Sequence, residues 1–278
     1  MSLDPVTLAV LNGRLEQIVD EMDATLFRSA FNPIIAEAHD ASHGVYHRET
    51  GDTLAQGKSG LPIFVGAMAF AVKTVIAKAA RDGDLQEGDV YIFNDPWDGG
   101  THLSDFRLVR PIFREGQVFC WIASVGHWHD VGGAVPGNYN PAATEAFQEG
   151  FICPPVKLFR AGAYQHDIQA MLQANSRLPI SLYGDLNAQI NALDLGHERL
   201  TGLLDEYGDA VVDDALAALR DRADKLMRQE IAALPDGVYG AEDFMDNDGV
   251  VDEPLKLCLT LTIAGDEMTL DFTGSAPS

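Results

Sequence analysis

The sequence predicts an α+β protein in which helices and antiparallel sheets surround a loop-built candidate metal site, followed by the start of a second, β-rich unit. Three observations support this fold class. Apolar residues recur at helical spacing near the N-terminus and again between residues 165 and 234. Between those helical segments, short runs of β-branched and aromatic residues alternate with turn residues. Beyond residue 235 the pattern is strand-like.

The first predicted element is an amphipathic helix over residues 5–29. Asp4 and Pro5 supply a capping residue and a first-turn proline. The apolar stripe consists of Leu8, Leu11, Leu15, Ile18 and Met22, spaced three or four apart. Such a stripe requires a surface to pack against, so we expect this helix to cover part of the core.

A hairpin and a second helix are predicted next. The segments HGVYH and DTLAQ flank a turn at Glu49-Thr50-Gly51, and Asp40 lies just before the first strand. Residues 64–81 have the composition of a mostly buried helix, which ends at Asp82-Gly83-Asp84.

Three strands follow, at DVYIFND, FRLVRPIFR and QVFCWIASVGH, and the last two are joined by a turn at Glu115-Gly116. An antiparallel hairpin brings the start of its first strand beside the end of its second. Asp105 and His127 are therefore expected to be near neighbours. Residues 132–163 are rich in glycine and proline and predict a long loop, which in a compact domain is often functional.

Residues 165–234 predict helices, and strands resume at YGAEDF, LKLCLTLTIAG and MTLDFTG. We therefore divide the chain into a catalytic α+β domain over residues 1–234 and the start of a β-rich unit over residues 235–278. Two or three strands alone are marginally stable and leave an open edge. This end is expected to pair with another chain or with the helical body.

Charge and composition exclude several classes of function. The formal charge of −23, from 19 Lys and Arg against 42 Asp and Glu, would repel phosphodiester backbones and anionic membrane surfaces. No run of about 18 apolar residues and no signal peptide is recognised, so a cytoplasmic protein without a membrane span is expected. The three cysteines are far apart and odd in number, which favours reduced thiols over a disulfide framework.

Most of the candidate chemistry lies in residues 94–133, which contain three histidines and four aspartates among glycine pairs. His102, Asp105 and His127 form a set of two imidazoles and one carboxylate, an arrangement that binds a divalent metal and leaves positions for water or substrate. His and Asp on loops are equally common as capping and turn residues. Spacing alone leaves the two interpretations balanced.

His129 and Asp130 compete for the same roles. Strand alternation would put His127 and His129 on one face, so either could bind a metal while the other supports it or donates a proton. Asn94 and Asp95 precede Pro96 and are better explained as turn residues, and Trp97 and Trp128 as half-buried aromatics.

Other motifs are excluded by their spacing. The segment from Gly51 to Ser59 has five residues between its glycines where a phosphate loop needs four. DFMDNDG lacks the first aspartate and the last glutamate of a calcium loop. Cys153 is expected to be a buried, inert thiol rather than a nucleophile.

The motifs taken together resemble the hydantoinase B/oxoprolinase family. They occur in the family's order and span most of the chain: NDPWDGGTHLSD, GHWHDVGG, EGFICPPVKL, LYGDLNAQINAL, EDFMDNDGV and MTLDFTGSAPS. This resemblance implies that His102, Asp105 and His127 are metal ligands and that Asp40, in HDASHGVYH, is a fourth. His129 and Asp130 then remain as catalytic candidates. Zinc or manganese is favoured over iron for such a set.

The resemblance also implies the reaction and the partners. A hydantoinase A type subunit binds ATP and phosphorylates a carbonyl or lactam oxygen, and the B-type subunit completes the reaction at its metal. Hydrolysis of a cyclic amide such as a hydantoin, lactam or oxoproline is expected first, and carboxylation of a ketone is the alternative. Phe64, Trp97, Trp128 and Tyr139 are candidates for the substrate pocket. Family members usually continue well beyond DFTGSAPS, so a second chain is expected to complete this subunit.

Overall fold

The computed structural model describes residues 3–277 and divides into two compact units. The first comprises the chain up to Asn140 together with Glu145–Ala215, and the second comprises Pro141–Thr144 and Leu216–Ser278. The sequence placed a boundary at residue 235, where strands begin. In the structure the helix beyond Leu216 is grouped with those strands, and its side chains from residue 217 onward are exposed or half-buried.

The first unit contains six helices and seven strands among the described residues. The helices are α1 (Pro5–Ser29), α2 (Pro33–Ala36), α3 (Ile63–Asp82), α4 (His166–Ala174), α5 (Pro179–Tyr207) and the first part of α6 (Asp209–Ala232). The strands are β1 (Ala41–His47), β2 (Thr53–Gln56), β3 (Val90–Phe93), β4 (Asp105–Arg114), β5 (Gln117–His127), β6 (Val156–Arg160) and β7 (Ala163–Tyr164). They form one antiparallel sheet in the order β2-β1-β5-β4-β3-β6-β7. Helices combined with antiparallel sheets confirm the α+β class.

Helix α1 has the bounds that the sequence predicts. The Asp4 carboxylate accepts hydrogen bonds from the backbone N–H groups of Val6 and Thr7, which fixes the first turn. Four of the five stripe residues are buried: Leu11, Leu15, Ile18 and Met22. The stripe faces α5 and the sheet, so the period of the apolar residues determines which side of α1 is buried.

The central sheet is covered on both faces. Ala123 and Val125 of β5 belong to the apolar core under α3, together with Val109 of β4. Ser124 lies between them in sequence and contacts Gln189 of α5 on the opposite side. Since side chains alternate along a strand, α3 covers one face, and α1 and α5 cover the other.

Helix α3 was expected to be mostly buried, but only its inward face is covered. Phe64, Met68 and Val72 are buried, whereas Ile63 and Phe70 are more than half exposed. By length and composition alone this helix could cross a membrane, and 33% of its most apolar stretch is buried inside the protein. Helices that pack on a sheet can have the same length and apolar composition, and α3 packs against β1 and β5.

The predicted loop over residues 132–163 contains two strands that the sequence analysis missed. Strand β6 pairs with β3, placing Val156 opposite Ile92, and β7 extends the sheet beyond it. The glycines and prolines before Val156 dominate the composition of this stretch. A five-residue strand, in which Lys157 and Leu158 are buried, is therefore not evident from the composition of this stretch.

The second unit contains the C-terminal strands. These are β8 (Gly237–Met245), β9 (Leu255–Ala264) and β10 (Glu267–Asp271), paired antiparallel in the order β10-β9-β8. Of the large hydrophobic side chains in this sheet, Ile263 is buried, whereas Val238, Phe244 and Leu270 are more than half exposed. The prediction of strands here is confirmed.

A polar network crosses the face of the main sheet that α1 and α5 cover. His43 contacts the Asp23 carboxylate through Nδ1 at 2.8 Å and the Ser124 hydroxyl through Nε2 at 2.9 Å. Gln189 donates a hydrogen bond to Ser124 and accepts one from the Trp128 indole N–H. All five side chains are buried, so each depends on the others for its hydrogen bonds.

Replacement of Asp23 should destabilise the first unit strongly. Asp23→Ala leaves His43 Nδ1 buried without a partner, and we expect the free energy of unfolding to fall by about 3 kcal/mol. Urea denaturation followed by circular dichroism measures this change. Asp221→Ala removes an exposed carboxylate and serves as the control. Equal stability of the two variants would contradict a structural role for the network.

Candidate metal centre

The centre is built at the end of the β4–β5 hairpin. Asp105 begins β4, His127 ends β5, and the strand register places these two residues directly opposite each other. The proximity predicted from hairpin geometry is therefore confirmed. Their side chains lie on the same face as Val109 and Val125, the face covered by α3. The Asp105 Oδ1 to His127 Nδ1 distance is 3.6 Å.

His102 reaches the same place from the turn before β4. Its carbonyl accepts a hydrogen bond from the Asp105 N–H, which closes the turn, and its Nε2 lies 3.6 Å from Asp105 Oδ2. The His102 and His127 rings meet edge to face, with centroids 5.0 Å apart. One ligand atom from each of the three residues lies within 4.8 Å of the other two.

Asp40 approaches from the neighbouring strand. It immediately precedes β1, which pairs with β5, and its backbone carbonyl accepts a hydrogen bond from the His127 N–H at 3.0 Å. That backbone contact holds the Asp40 Oδ2 3.3 Å from His127 Nδ1. Asp40 is thus linked to the cluster through His127, whereas the ligand atoms that all lie within 4.8 Å of one another belong to His102, Asp105 and His127.

The exposure of the four side chains gives the centre an open side. Asp105 is 2% exposed, His127 19% and Asp40 20%, whereas His102 is 53% exposed. The cluster is therefore exposed to solvent on the side of His102. The opposite side is closed by the sheet.

The donor atoms fit a divalent cation. Asp105 Oδ1 and His127 Nδ1 are buried and lack hydrogen-bond partners, although they face each other. Unsatisfied buried polar atoms are costly, and a cation between them would offset that cost. Two imidazoles and two carboxylates form a set that zinc, manganese and iron all accept.

His129 lies outside this cluster. Strand β5 ends at His127, so the alternation expected to place both histidines on one face does not extend to His129. The charge of His129 acts instead on Asp185 of α5. Burial raises the pKa of Asp185, while the N–H groups of Asn32 and Phe31 and then the charge of His129 oppose that shift.

Asp130 organises the loop that follows His129. Its carboxylate accepts hydrogen bonds from the backbone N–H groups of Gly132, Gly137 and Arg177 and from the Arg177 guanidinium. Burial by itself raises the pKa of Asp130, but these hydrogen bonds outweigh burial and leave the pKa below its usual value.

Thr101 and Arg107 are parts of the centre that sequence reasoning missed. The Thr101 hydroxyl donates to Asp105 Oδ2, and the Arg107 guanidinium donates to both the Thr101 hydroxyl and the Asp105 carbonyl. Burial lowers the pKa of Arg107 to about 10, and the charge of Asp105 opposes the shift, so the side chain remains cationic at neutral pH. Side chains alternate along a strand, so the sequence could have shown that Arg107 lies on the same face of β4 as Asp105.

The remaining candidates have structural contacts. Asn94 bonds the Leu103 and Phe151 carbonyls and the Cys153 N–H, and Asp95 caps the short 3₁₀ turn at Trp97, as turn residues do. Burial raises the pKa of Cys153 to about 12, which agrees with an inert thiol.

The four aromatic residues proposed for a substrate pocket do not line one cavity. Phe64 and Trp128 are core residues, and Trp128 stacks on Phe106. Trp97 and Tyr139 are 78% and 89% exposed. Of the two exposed residues, Trp97 is the nearer in sequence to the metal cluster, and Gly99 and Gly100 lie between it and His102.

The sequence over residues 4–278 matches the model of the hydantoinase B/oxoprolinase family, and the chain belongs to that family. It is 36% identical over 267 residues to the caprolactamase subunit beta of Pseudomonas jessenii, a match that covers 96% of this chain and 45% of the relative.

Two solved structures share the fold. The crystal structure of ATP-dependent caprolactamase from Pseudomonas jessenii matches with a TM-score of 0.86 and 33% identity, covering 97% of this chain and 46% of that one. A nucleotide-free acetone carboxylase matches with a TM-score of 0.88 and 23% identity, covering 98% and 37%. The chain therefore spans less than half the length of these relatives.

Proposed function

We propose that this chain is the metal-binding part of an ATP-dependent, multi-subunit cytoplasmic enzyme that hydrolyses a cyclic amide. The observation that carries the proposal is the convergence of Asp40, His102, Asp105 and His127 at the end of one hairpin, in a member of the hydantoinase B/oxoprolinase family. A hydantoinase A type partner would bind ATP and phosphorylate the lactam or carbonyl oxygen of the substrate.

The four clustered residues would hold zinc or manganese, or iron as a less favoured third metal. A divalent metal in this position supplies a water of lowered pKa and stabilises negative charge on oxygen. Asp105 is fixed by the turn and by Thr101, and the more exposed His102 leaves room for substrate beside it. We also propose that His129 donates a proton in the reaction and that Asp130, which holds the loop after it, is a positioning residue.

We assign ATP to the partner because the segment that resembles a phosphate loop has a different structure. Strand β2 occupies Thr53–Gln56 between the two glycines of the Gly51–Ser59 segment, so these glycines do not belong to one loop, and α3 starts only at Ile63. Lys58, the residue that would reach a phosphate, pairs with Glu16 at 2.6 Å. The formal charge of −23 also disfavours a highly anionic nucleotide.

One sequence relative and one structural relative bear on the reaction class. The caprolactamase subunit is 36% identical over nearly the whole chain, whereas the acetone carboxylase structure, at 23%, supports a shared fold alone. Cyclic amide hydrolysis is therefore preferred, and ketone carboxylation remains the alternative function of the same metal cluster.

The two reactions differ in their dependence on bicarbonate. In the complex reconstituted with its A-type partner, a lactam such as caprolactam should stimulate ATP hydrolysis without added bicarbonate, and an amino acid should accumulate. Acetone or acetophenone with bicarbonate should leave ATP hydrolysis at its basal rate. Mass spectrometry of products together with phosphate release measures both. Ketone-dependent and bicarbonate-dependent turnover would establish carboxylation instead.

His127→Ala should abolish metal binding and turnover, because it removes the nitrogen that faces both Asp40 and Asp105. Metal content by inductively coupled plasma mass spectrometry and turnover of the reconstituted complex measure these effects. Gel filtration should show the complex still assembled. His166→Ala removes an exposed imidazole of α4 and is the control. Unchanged turnover in the His127 variant would rule out the proposed metal mechanism.

The second unit supplies a surface for a further partner. Leu255, Leu257, Leu259, Leu261 and Ile263 alternate along β9 and so share one face of the sheet. Leu270 and Tyr239 lie opposite Leu261 on the neighbouring strands and extend that face.

Several of these side chains are about half exposed: Leu257 at 47%, Leu270 at 53% and Tyr239 at 44%. Exposed apolar side chains that adjoin one another on one face favour an interaction site. We propose that a second chain, corresponding to the portion of the caprolactamase relative outside this match, packs on this face.

Charges introduced on that face should prevent assembly without affecting the metal centre. Leu257→Asp combined with Leu270→Asp should abolish co-purification with a co-expressed chain corresponding to the second half of the subunit, because both charges would become buried. Thr269→Asp lies on the opposite face and should leave co-purification intact. Equal metal content in all variants separates assembly from metal binding. A stable wild-type monomer that binds no such chain would contradict the proposal.

A further inference from the structure

The contacts of Asp105 are unequal at its two oxygens. Oδ2 accepts a hydrogen bond from the Thr101 hydroxyl, whereas Oδ1 is buried without a partner and faces His127. A carboxylate that is held through one oxygen cannot rotate freely, so the free oxygen keeps a fixed direction. The hydroxyl is thus placed to decide which oxygen is available as a ligand.

Arg107 determines the direction of that hydroxyl. Its Nη2 donates to Thr101 Oγ1 at 2.6 Å, so the oxygen of Thr101 is used as an acceptor and its proton is directed to Asp105. Arg107 Nη1 donates to the Asp105 carbonyl at 2.7 Å, which ties the guanidinium to the same turn. A donor that is itself polarised by a cation forms a stronger hydrogen bond.

The loop around Arg107 leaves little freedom for other arrangements. A Cβ on Gly100 would lie 2.9 Å from Arg107 Nη1 and 2.7 Å from the Asp95 carbonyl, so the loop backbone lies directly against the guanidinium. Gly99 has a φ of +85° and packs against the backbone of α3 at Phe70. The two glycines explain how a fully buried arginine is enclosed beside the cluster.

From these contacts we infer that Thr101 and Arg107 form a relay that positions Asp105 and thereby sets the metal affinity of the centre. The relay runs from the guanidinium to the hydroxyl and from the hydroxyl to Oδ2, leaving Oδ1 free for the cation. Thr101 and Arg107 are positioning residues, and neither touches the cation or the substrate. This inference rests on the proposed metal-binding function and adds the residues that tune it.

The hydroxyl can be removed with little change of shape. In the full chain, Thr101→Val should weaken Zn²⁺ binding by roughly 10–100-fold, the range expected when a partner of a metal ligand is lost. Thr101→Ser retains the hydroxyl and should bind within a few-fold of the unaltered protein. Thr25→Val removes a hydroxyl that bonds a helix carbonyl in α1 and should have no effect. Competition with a chromophoric chelator measures these affinities.

A second measurement detects the position of Asp105 directly. The visible absorption spectrum of bound Co²⁺ depends on the geometry of its ligands, so Thr101→Val should change it and Thr101→Ser should restore it. Arg107→Lys keeps the charge but cannot donate to the Thr101 hydroxyl and the Asp105 carbonyl in the same fixed geometry. It should therefore weaken Zn²⁺ binding too, and thermal melting verifies that each variant is folded.

The outcomes separate this inference from the proposed function. If His127→Ala abolishes Zn²⁺ binding but Thr101→Val does not weaken it, the relay is refuted and the metal centre stands. If Thr101→Ser is as weak as Thr101→Val, the hydroxyl is not the cause and the relay is again refuted. If His127→Ala binds Zn²⁺ like the unaltered protein, the proposed centre itself is wrong.

Discussion

The antiparallel pairing of β4 with β5 is the constraint on which the centre depends. It places Asp105 opposite His127, and the turn before β4 adds His102. The pairing of β1 with the other edge of β5 then brings Asp40 to the same end of the sheet. Three backbone segments that are distant in sequence converge because strand register, rather than loop conformation, fixes their separation.

The two faces of this sheet have different roles. On one face, α3 and an apolar core surround the strands up to the point where the centre opens. On the other face, a buried polar network joins Asp23 and His43 to Ser124 and Gln189. Gln189 also holds Trp128, the residue next to His127. A buried polar network of this kind favours one packing arrangement, and Gln189 thereby connects it to the strand end that carries the candidate ligands.

Several parts of this architecture were predictable from sequence because they depend on local periodicity. The apolar period gave α1 its bounds, and the Glu115-Gly116 turn between two strands predicted the proximity of Asp105 and His127. Strand β6 was missed because the surrounding glycines and prolines favour a loop, and its pairing with β3 is a long-range contact that no local pattern contains. Arg107 was also overlooked because of a non-local contact: its burial depends on the loop around Gly99 and Gly100, which the pattern of β4 does not contain.

The candidate ligands and the exposed apolar strand face lie in different units of the chain. The four candidate ligands and both positioning residues lie within the first unit. In the second unit, leucines on one face of a three-stranded sheet are about half exposed, although a sheet of that size is marginally stable when uncovered. The candidate ligands and the exposed apolar side chains thus belong to different units, so substitutions can test the two proposed roles separately. The strand register that gathers the candidate ligands is therefore contained within the first unit, and the three-stranded sheet of the second unit takes no part in it.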